Sequence, residues 1–126
     1  MRRFDDTMPI YLQLREEIER AIISGGVEEG EMIPSIRSLS QQYKLNPQTV
    51  SNALSELVSE EVIVKKRGIG FFVNDGVRER LLERKSDAFR QGEMSQCIRK
   101  GARLGIDKSE FIDTVNRIYN DTRSTS

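Results

Sequence analysis

Gln48, Thr49, Ser51 and Asn52 lie within one short stretch, and each carries an uncharged side chain that both donates and accepts hydrogen bonds. Further along, Lys65-Lys66-Arg67 sets three positive charges beside Gly68. Neutral hydrogen bonding in one place and compact positive charge in another is the chemistry of recognising a surface. The groups needed for turnover are scarce. The 126 residues include no His, so a Ser-His-Asp triad cannot be built and the commonest zinc ligand is missing. A single Cys, Cys97, cannot close an internal disulfide or a CxxC site, which points to an intracellular protein. The candidate surface assembles no paired carboxylates, no nucleophile with a base and no metal cluster. No enzymatic activity, metal or cofactor is expected.

The recognition side chains need elements to hold them. Asn46 suits a helix N-cap and Pro47 the first helical position, and Val50, Ala53, Leu54, Leu57 and Val58 then form one apolar stripe. Gln48, Thr49, Ser51, Asn52 and Glu56 fall off that stripe. Upstream, Ser35 is a candidate N-cap for a short helix that turns Ile36, Leu39 and Tyr43 inward and ends near Tyr43, with Lys44-Leu45-Asn46 as the turn. An earlier helix starts at Pro9, buries Tyr11, Leu14, Ile18, Ala21 and Ile22, and leaves Arg15, Glu16, Glu19 and Arg20 on its wet face. Ser24-Gly25-Gly26 stops it, and Val27 to Glu31 reads as a loop.

Two short helices joined by a tight turn, the second bearing small hydrogen-bonding residues on its first turns, match a helix-turn-helix. Val62-Ile63-Val64 and Phe71-Phe72-Val73 then read as strands around a basic turn from Lys65 to Gly70, so that the unit is a winged helix whose tip reaches phosphates or a neighbouring groove. Gly68-Ile69-Gly70 lies between strands rather than ahead of a helix, which makes it a hairpin turn and not a nucleotide loop.

Charge distribution supports the same region. The total is zero, from 20 basic and 20 acidic residues, but residues 1–34 carry four basic and eight acidic side chains, while residues 35–73 carry five and three. No apolar run approaches the length of a bilayer span, and the opening MRRFDDTMP lacks the apolar core of a signal peptide, so a cytoplasmic protein without membrane contact is expected.

From Asp75, a candidate N-cap, helical spacing returns. Val77, Leu81, Leu82, Ala88, Phe89, Met94, Cys97 and Ile98 recur through to about Lys100, with Cys97 as a small buried hydrophobe. Gly101 and Gly105 bracket a break. Asp107 and Glu110 resemble a capping box ahead of the apolar face Phe111, Ile112, Val115, Ile118 and Tyr119, and a polar tail from Asn120 should fray. Two helices with this much apolar surface beyond a complete winged-helix core imply self-association. The contact residues on that basis are Leu81, Leu82, Phe89, Met94, Ile98, Phe111, Ile112, Val115, Ile118 and Tyr119. The fold expected is mostly α with a small β-hairpin: a winged helix-turn-helix domain over residues 1–74 and a two-helix C-terminal dimerisation element over 75–126.

Residues 9–73, with Pro34-Ser35-x-Arg37, Asn46-Pro47-x-Thr49-Val50 and Gly68-x-Gly70-x-Phe72-Val73, resemble the DNA-binding domain of the GntR family of bacterial transcription regulators, and the short helical tail looks like its YtrA-like branch. The resemblance implies a homodimer built mainly by the C-terminal helices. It puts Arg37 at the DNA, Gln48 and Thr49 at phosphates or bases, Ser51 and Asn52 at base edges, and Lys65, Lys66, Arg67 and Gly68 at the wing. Ser35 and Asn46, as caps of the two helices, fall within the same DNA-contacting set. Ser51 is small where some members have arginine, which moves discrimination toward Arg37, Gln48 and Asn52. Lys44 and Glu61 stand where many members have glycine, which implies left-handed backbone at both.

Physics independent of the resemblance agrees, since helix N-termini favour phosphate oxygens and Asn or Gln pairs with adenine through two hydrogen bonds. The expected function is a sequence-specific transcription regulator, of repressor type, that binds a double-stranded pseudo-palindromic operator as a homodimer. Its half-sites would lie about one helical turn, ~34 Å, or a multiple of it apart. The family allows a small-molecule effector in a groove between the C-terminal helices, although no residue set specifies one. The alternative is a winged-helix protein-protein adaptor, which the neutral total charge permits.

Overall fold

The computed structural model describes residues 8–124, so the charged opening through Thr7 and the last two residues of the expected tail lie outside the described residues. Two compact units part between Arg84 and Lys85.

The first unit contains α1 (Ile10–Ser24), α2 (Ile36–Tyr43), α3 (Pro47–Ser59), the hairpin strands β1 (Ile63–Lys66) and β2 (Gly70–Val73), and the beginning of α4 (Val77–Phe89). The apolar stripes meet as expected. Leu14, Ile18 and Ile22 of α1 pack with Leu39 of α2, with Val50, Ala53, Leu54 and Leu57 of α3, and with Val62, Ile63 and Val73 of the hairpin. Val77 and Leu81 close this core. Leu81 is therefore not available to a second chain, contrary to its expected place in a dimer interface, and the compact unit continues ten residues past the boundary expected after residue 74.

Local signals act as their chemistry predicts. The Ser35 hydroxyl accepts the Ser38 N–H at 3.1 Å, and Asn46 Oδ1 accepts the Gln48 N–H at 2.7 Å ahead of Pro47. Lys44 (φ 55°) and Glu61 (φ 61°) are both left-handed. The Glu61 carbonyl is held there by the Asn74 side chain at 2.7 Å and by Arg80 at 2.8 Å.

β1 and β2 pair antiparallel from Ile63↔Val73 to Lys66↔Gly70. Lys65 and Lys66 are thus strand residues rather than turn residues, because each finds a partner across the ladder, and only Arg67, Gly68 and Ile69 form the tip. The tip closes through an Ile69 N–H to Lys66 carbonyl bond of 2.9 Å, with Gly68 at φ 78°, a backbone angle that favours glycine. The end of the segment expected as loop, with the two residues that follow it, adds an edge to the hairpin. Ile33 donates to the Phe71 carbonyl at 2.9 Å, Val73 donates to Glu31 at 2.9 Å, and Met32 pairs with Phe72. The N-terminus of α4 is capped by Glu29, whose carboxylate accepts the Arg78 N–H at 3.0 Å. The side chain that does this comes from far back in the chain, not from Asp75 as expected.

The second unit contains the rest of α4, a wide π turn at Arg90–Met94, α5 (Ser95–Arg103) and α6 (Lys108–Ser124). The expected unbroken helix to Lys100 is interrupted by that π turn, where the Ser95 hydroxyl donates to the Arg90 carbonyl at 2.6 Å and so satisfies an acceptor in the altered ladder. Gly101 does not break the chain but lies buried inside α5, and the turn comes at Gly105. Gly101 is needed for packing: a Cβ there would fall 1.9 Å from Phe111 Cζ of α6. Cys97 is exposed rather than buried, and the helix persists past Asn120, with Arg123 over the Tyr119 ring at 5.8 Å.

Candidate nucleic-acid interface

The first unit carries the hydrogen-bonding and basic residues singled out in the sequence. Asn46 and Pro47 start α3 so that its positive dipole end and its first turns stand at the surface. Gln48 and Asn52 are exposed there, one turn apart, and the Gln48 Nε2 donates to Asn52 Oδ1 at 2.9 Å. Thr49 and Ser51 are half-buried beside them. Arg37 is exposed on the first turn of α2, directly after the Ser35 cap. The two caps have both turned their side chains to their own helices, and that leaves Arg37, Gln48 and Asn52 as the long exposed groups on these two helix starts.

On the hairpin, Lys66 Nζ lies over the Phe72 ring at 4.3 Å and Lys65 Nζ lies near Phe71 at 5.9 Å. Aromatic faces attract these ammonium groups and restrain them along the strand. Arg67 is exposed at the tip beside Gly68.

The same unit holds a charge network that the pattern of the sequence did not reveal. Arg15 of α1, expected on a wet face, has a side chain only 14% exposed. Its Nη1 meets Glu56 at 2.6 Å and its Nη2 meets Glu60 at 2.7 Å. Arg84 on α4 meets Glu19 at 3.3 Å and Glu60 at 3.5 Å, and Arg15 lies 3.8 Å from the buried Glu19. Burial works against the Arg15 charge, but the hydrogen bonds to Glu60 and Glu56 outweigh it, so its guanidinium is held above the ordinary arginine value. The Arg15 hydrogen bond likewise holds the Glu60 carboxyl below the usual carboxylate range. The i,i+4 spacings Arg15/Glu19 and Glu56/Glu60 were the one available signal.

Among the described residues no cluster of His, Cys, Asp or Glu is arranged to hold a metal ion, and no helix is long and apolar enough to cross a membrane.

In the second unit Leu82's neighbours in the expected interface are mostly surface residues. Phe89, Met94, Ile98, Ile112, Val115, Ile118 and Tyr119 are exposed, as is Leu82 itself at the end of the first unit, whereas Phe111 is half-buried on Gly101. Ile98, Ile106, Phe111, Ile112 and Val115 line an open apolar groove between α5 and α6.

Comparison with known proteins agrees with this arrangement. The YtrA transcriptional repressor of Bacillus subtilis is 27% identical over 115 residues, which span 91% of this chain and 88% of that protein. A GntR family transcriptional regulator from Listeria monocytogenes superposes with a TM-score of 0.71 at 31% identity, covering 90% of this chain and 98% of the other. The structure of AraR(DBD) in complex with operator ORX1 superposes with a TM-score of 0.53 at 31% identity, over 56% of this chain and 90% of that one. The family model for bacterial regulatory proteins of the gntR family matches residues 10–73, the stretch that runs from the start of α1 to the end of β2. A match over half the chain, to the segment that holds the exposed amides and the basic hairpin, shows that this protein belongs to the GntR family.

Proposed function

We propose that the protein is a transcription regulator that binds a pseudo-palindromic operator as a homodimer and acts as a repressor. The observation that carries this reading is the exposed pair Gln48 and Asn52 on the capped first turns of α3, in the same compact unit as Arg37 and the basic hairpin. Asn and Gln amides suit the edge of adenine in the major groove, and Arg37 suits guanine or phosphate. Lys65, Lys66, Arg67 and the Gly68 turn supply charge for the backbone beside it, Ser51 joins Asn52 at the base edges, and Thr49 and the helix starts at Ser35 and Asn46 lie close to phosphates. AraR(DBD), with which the first unit superposes, is itself described in complex with an operator.

The homodimer rests on the second unit, where Phe89, Met94, Ile98, Ile112, Val115, Ile118 and Tyr119 leave an apolar surface that a second copy would cover. A twofold reader requires a twofold site. A small molecule in the groove between α5 and α6 would be an effector. On this reading the protein works in the cytoplasm, where its DNA is.

The test is a mobility shift with sequences selected from random DNA. Wild type should select an inverted repeat and lose affinity steeply between about 50 and 200 mM salt. Arg37→Ala and Arg67→Ala should each weaken the complex. Binding that ignores salt, or retention of a protein partner with no retention on DNA, would reject the reading in favour of an adaptor.

A further inference from the structure

Gln48, Asn52, Glu56 and Glu60 follow one another at four-residue steps along α3 and its C-cap, so each is the surface neighbour of the next. The amides stand at the exposed start of this series, and the carboxylates at its far end are both taken by Arg15 of α1, at 2.6 and 2.7 Å. We propose that Arg15 is a positioning residue for base reading, which holds Glu56 and Glu60 so that α3 presents Gln48 and Asn52 at one fixed angle. The proposal rests on the reading of α3 as the helix that meets the operator.

Three features favour a positioning role over an incidental surface pair. First, the apolar contacts of Val50, Ala53, Leu54 and Leu57 turn one face of α3 to the core, and polar bonds at its far end add a directional restraint that apolar burial alone lacks. The guanidinium fork is planar and directional, and two bonds to carboxylates one turn apart fix both the height of α3 on α1 and its roll. Second, the fork is sheltered and braced. Arg15 is mostly buried, and Arg84 and Glu19 complete an alternating ring with Arg15 and Glu60. Third, Glu56 and Glu60 put two negative charges on the element proposed to approach a polyanion. Arg15 and Arg84, which Glu19 shares, offset most of that charge; unpaired, the two carboxylates would repel phosphates more strongly. Arg15 therefore acts through α3 and need not touch DNA itself.

The experiment uses the full chain and two duplexes, the sequence selected by wild type and a shuffled duplex of the same base composition, with binding read by fluorescence anisotropy and folding by circular dichroism melts. Arg15→Met keeps most of the side-chain volume. The freed carboxylates should weaken it on both duplexes, and its preference for the selected duplex should in addition fall by about tenfold or more. Arg15→Lys, which can satisfy one carboxylate but not both, should fall between the two. A folded Arg15→Met protein that keeps the wild-type preference overturns the proposal, as does an equal loss on both duplexes. Should Arg15→Met fail to fold, the double variant E56A/E60A removes both acceptors from α3 and leaves Arg15 beside Glu19. A reduced preference in it supports the proposal, and an unchanged preference overturns it. A wild-type protein that prefers no sequence removes the reading of α3 and this proposal together, whereas a preference that survives the loss of Arg15 removes this proposal alone.

Discussion

The Gln48 side-chain amide donates to the Asn52 carboxamide oxygen at 2.9 Å, across one exposed turn of α3. The two amides restrain each other before any ligand arrives, so less rotamer freedom remains to be lost on binding. If α3 reads bases as proposed, Asn52→Ala should cost about 1–3 kcal/mol of affinity for the selected sequence and relax the preference at the base it meets. Affinity for unrelated DNA should hardly change. Selection from random sequence with the variant checks both, and a uniform loss on all sequences would reassign Asn52 to the phosphates.

Glu61 holds a left-handed angle that L side chains avoid, and its backbone carbonyl is fixed by Asn74 and Arg80. Glu61→Gly keeps that carbonyl and removes the strain, for a net gain of about 0.5–1 kcal/mol after the extra backbone entropy of glycine. The melting temperature of the first unit should rise by a few degrees, roughly in line with ~4–8 °C per kcal/mol for a domain of this size. An unchanged or lower Tm would mean that the Glu61 side chain contributes more than its strain takes away.

The Glu60 carboxyl is held below its ordinary value of 4.5 chiefly by the Arg15 hydrogen bond, which predicts a loss of stability in acid. A carboxylate whose folded value is depressed adds stability at pH above its unfolded value, and that contribution is lost as pH falls through the folded value. Tm should thus be steady near neutral pH and decline below about 4.5. Glu60→Gln should be less stable than wild type at pH 7, with a shallower decline in acid. Parallel Tm profiles for the two proteins would contradict this account.

Gly101 and Phe111 leave no room for a methyl group between α5 and α6. Alanine inside a helix ordinarily stabilises by about 0.8–1 kcal/mol relative to glycine. Here the clash should reverse the sign and destabilise the second unit by about 1–3 kcal/mol. Adding Phe111→Val to Gly101→Ala should recover part of the loss, and a double variant no better than the single would place the strain elsewhere.

Much of the DNA-binding unit was legible because its signals are local. Asn46-Pro47, Ser35 and the stripe from Val50 to Leu57 each predict structure within a few residues, and the two left-handed positions followed from the family resemblance. What the sequence hid was set by partners distant in the chain. Arg15 looked like a solvated charge because Glu56 and Glu60 lie 41 and 45 residues away. Glu29 looked like loop, yet it caps a helix 49 residues further on. Lys65 and Lys66 read as turn because the ladder that claims them depends on register with Phe71 and Gly70. Leu81 shared the helical spacing of the expected interface residues, and only packing distinguishes it from Leu82.

The wide turn at Arg90–Met94 sets a limit on how the length of this chain can vary. An i→i+5 turn accommodates one more residue than an ordinary turn of α-helix. Phe89 and Met94 would be about 140° apart around an uninterrupted helix at ~100° per residue, and the surplus residue brings them onto neighbouring azimuths. A natural or engineered deletion of a single residue inside this stretch should be absorbed by reversion to plain α-helix, with the angle between Phe89 and Ile98 around the axis little changed. The same deletion one turn into α5 would twist everything after it by more than a quarter of a revolution.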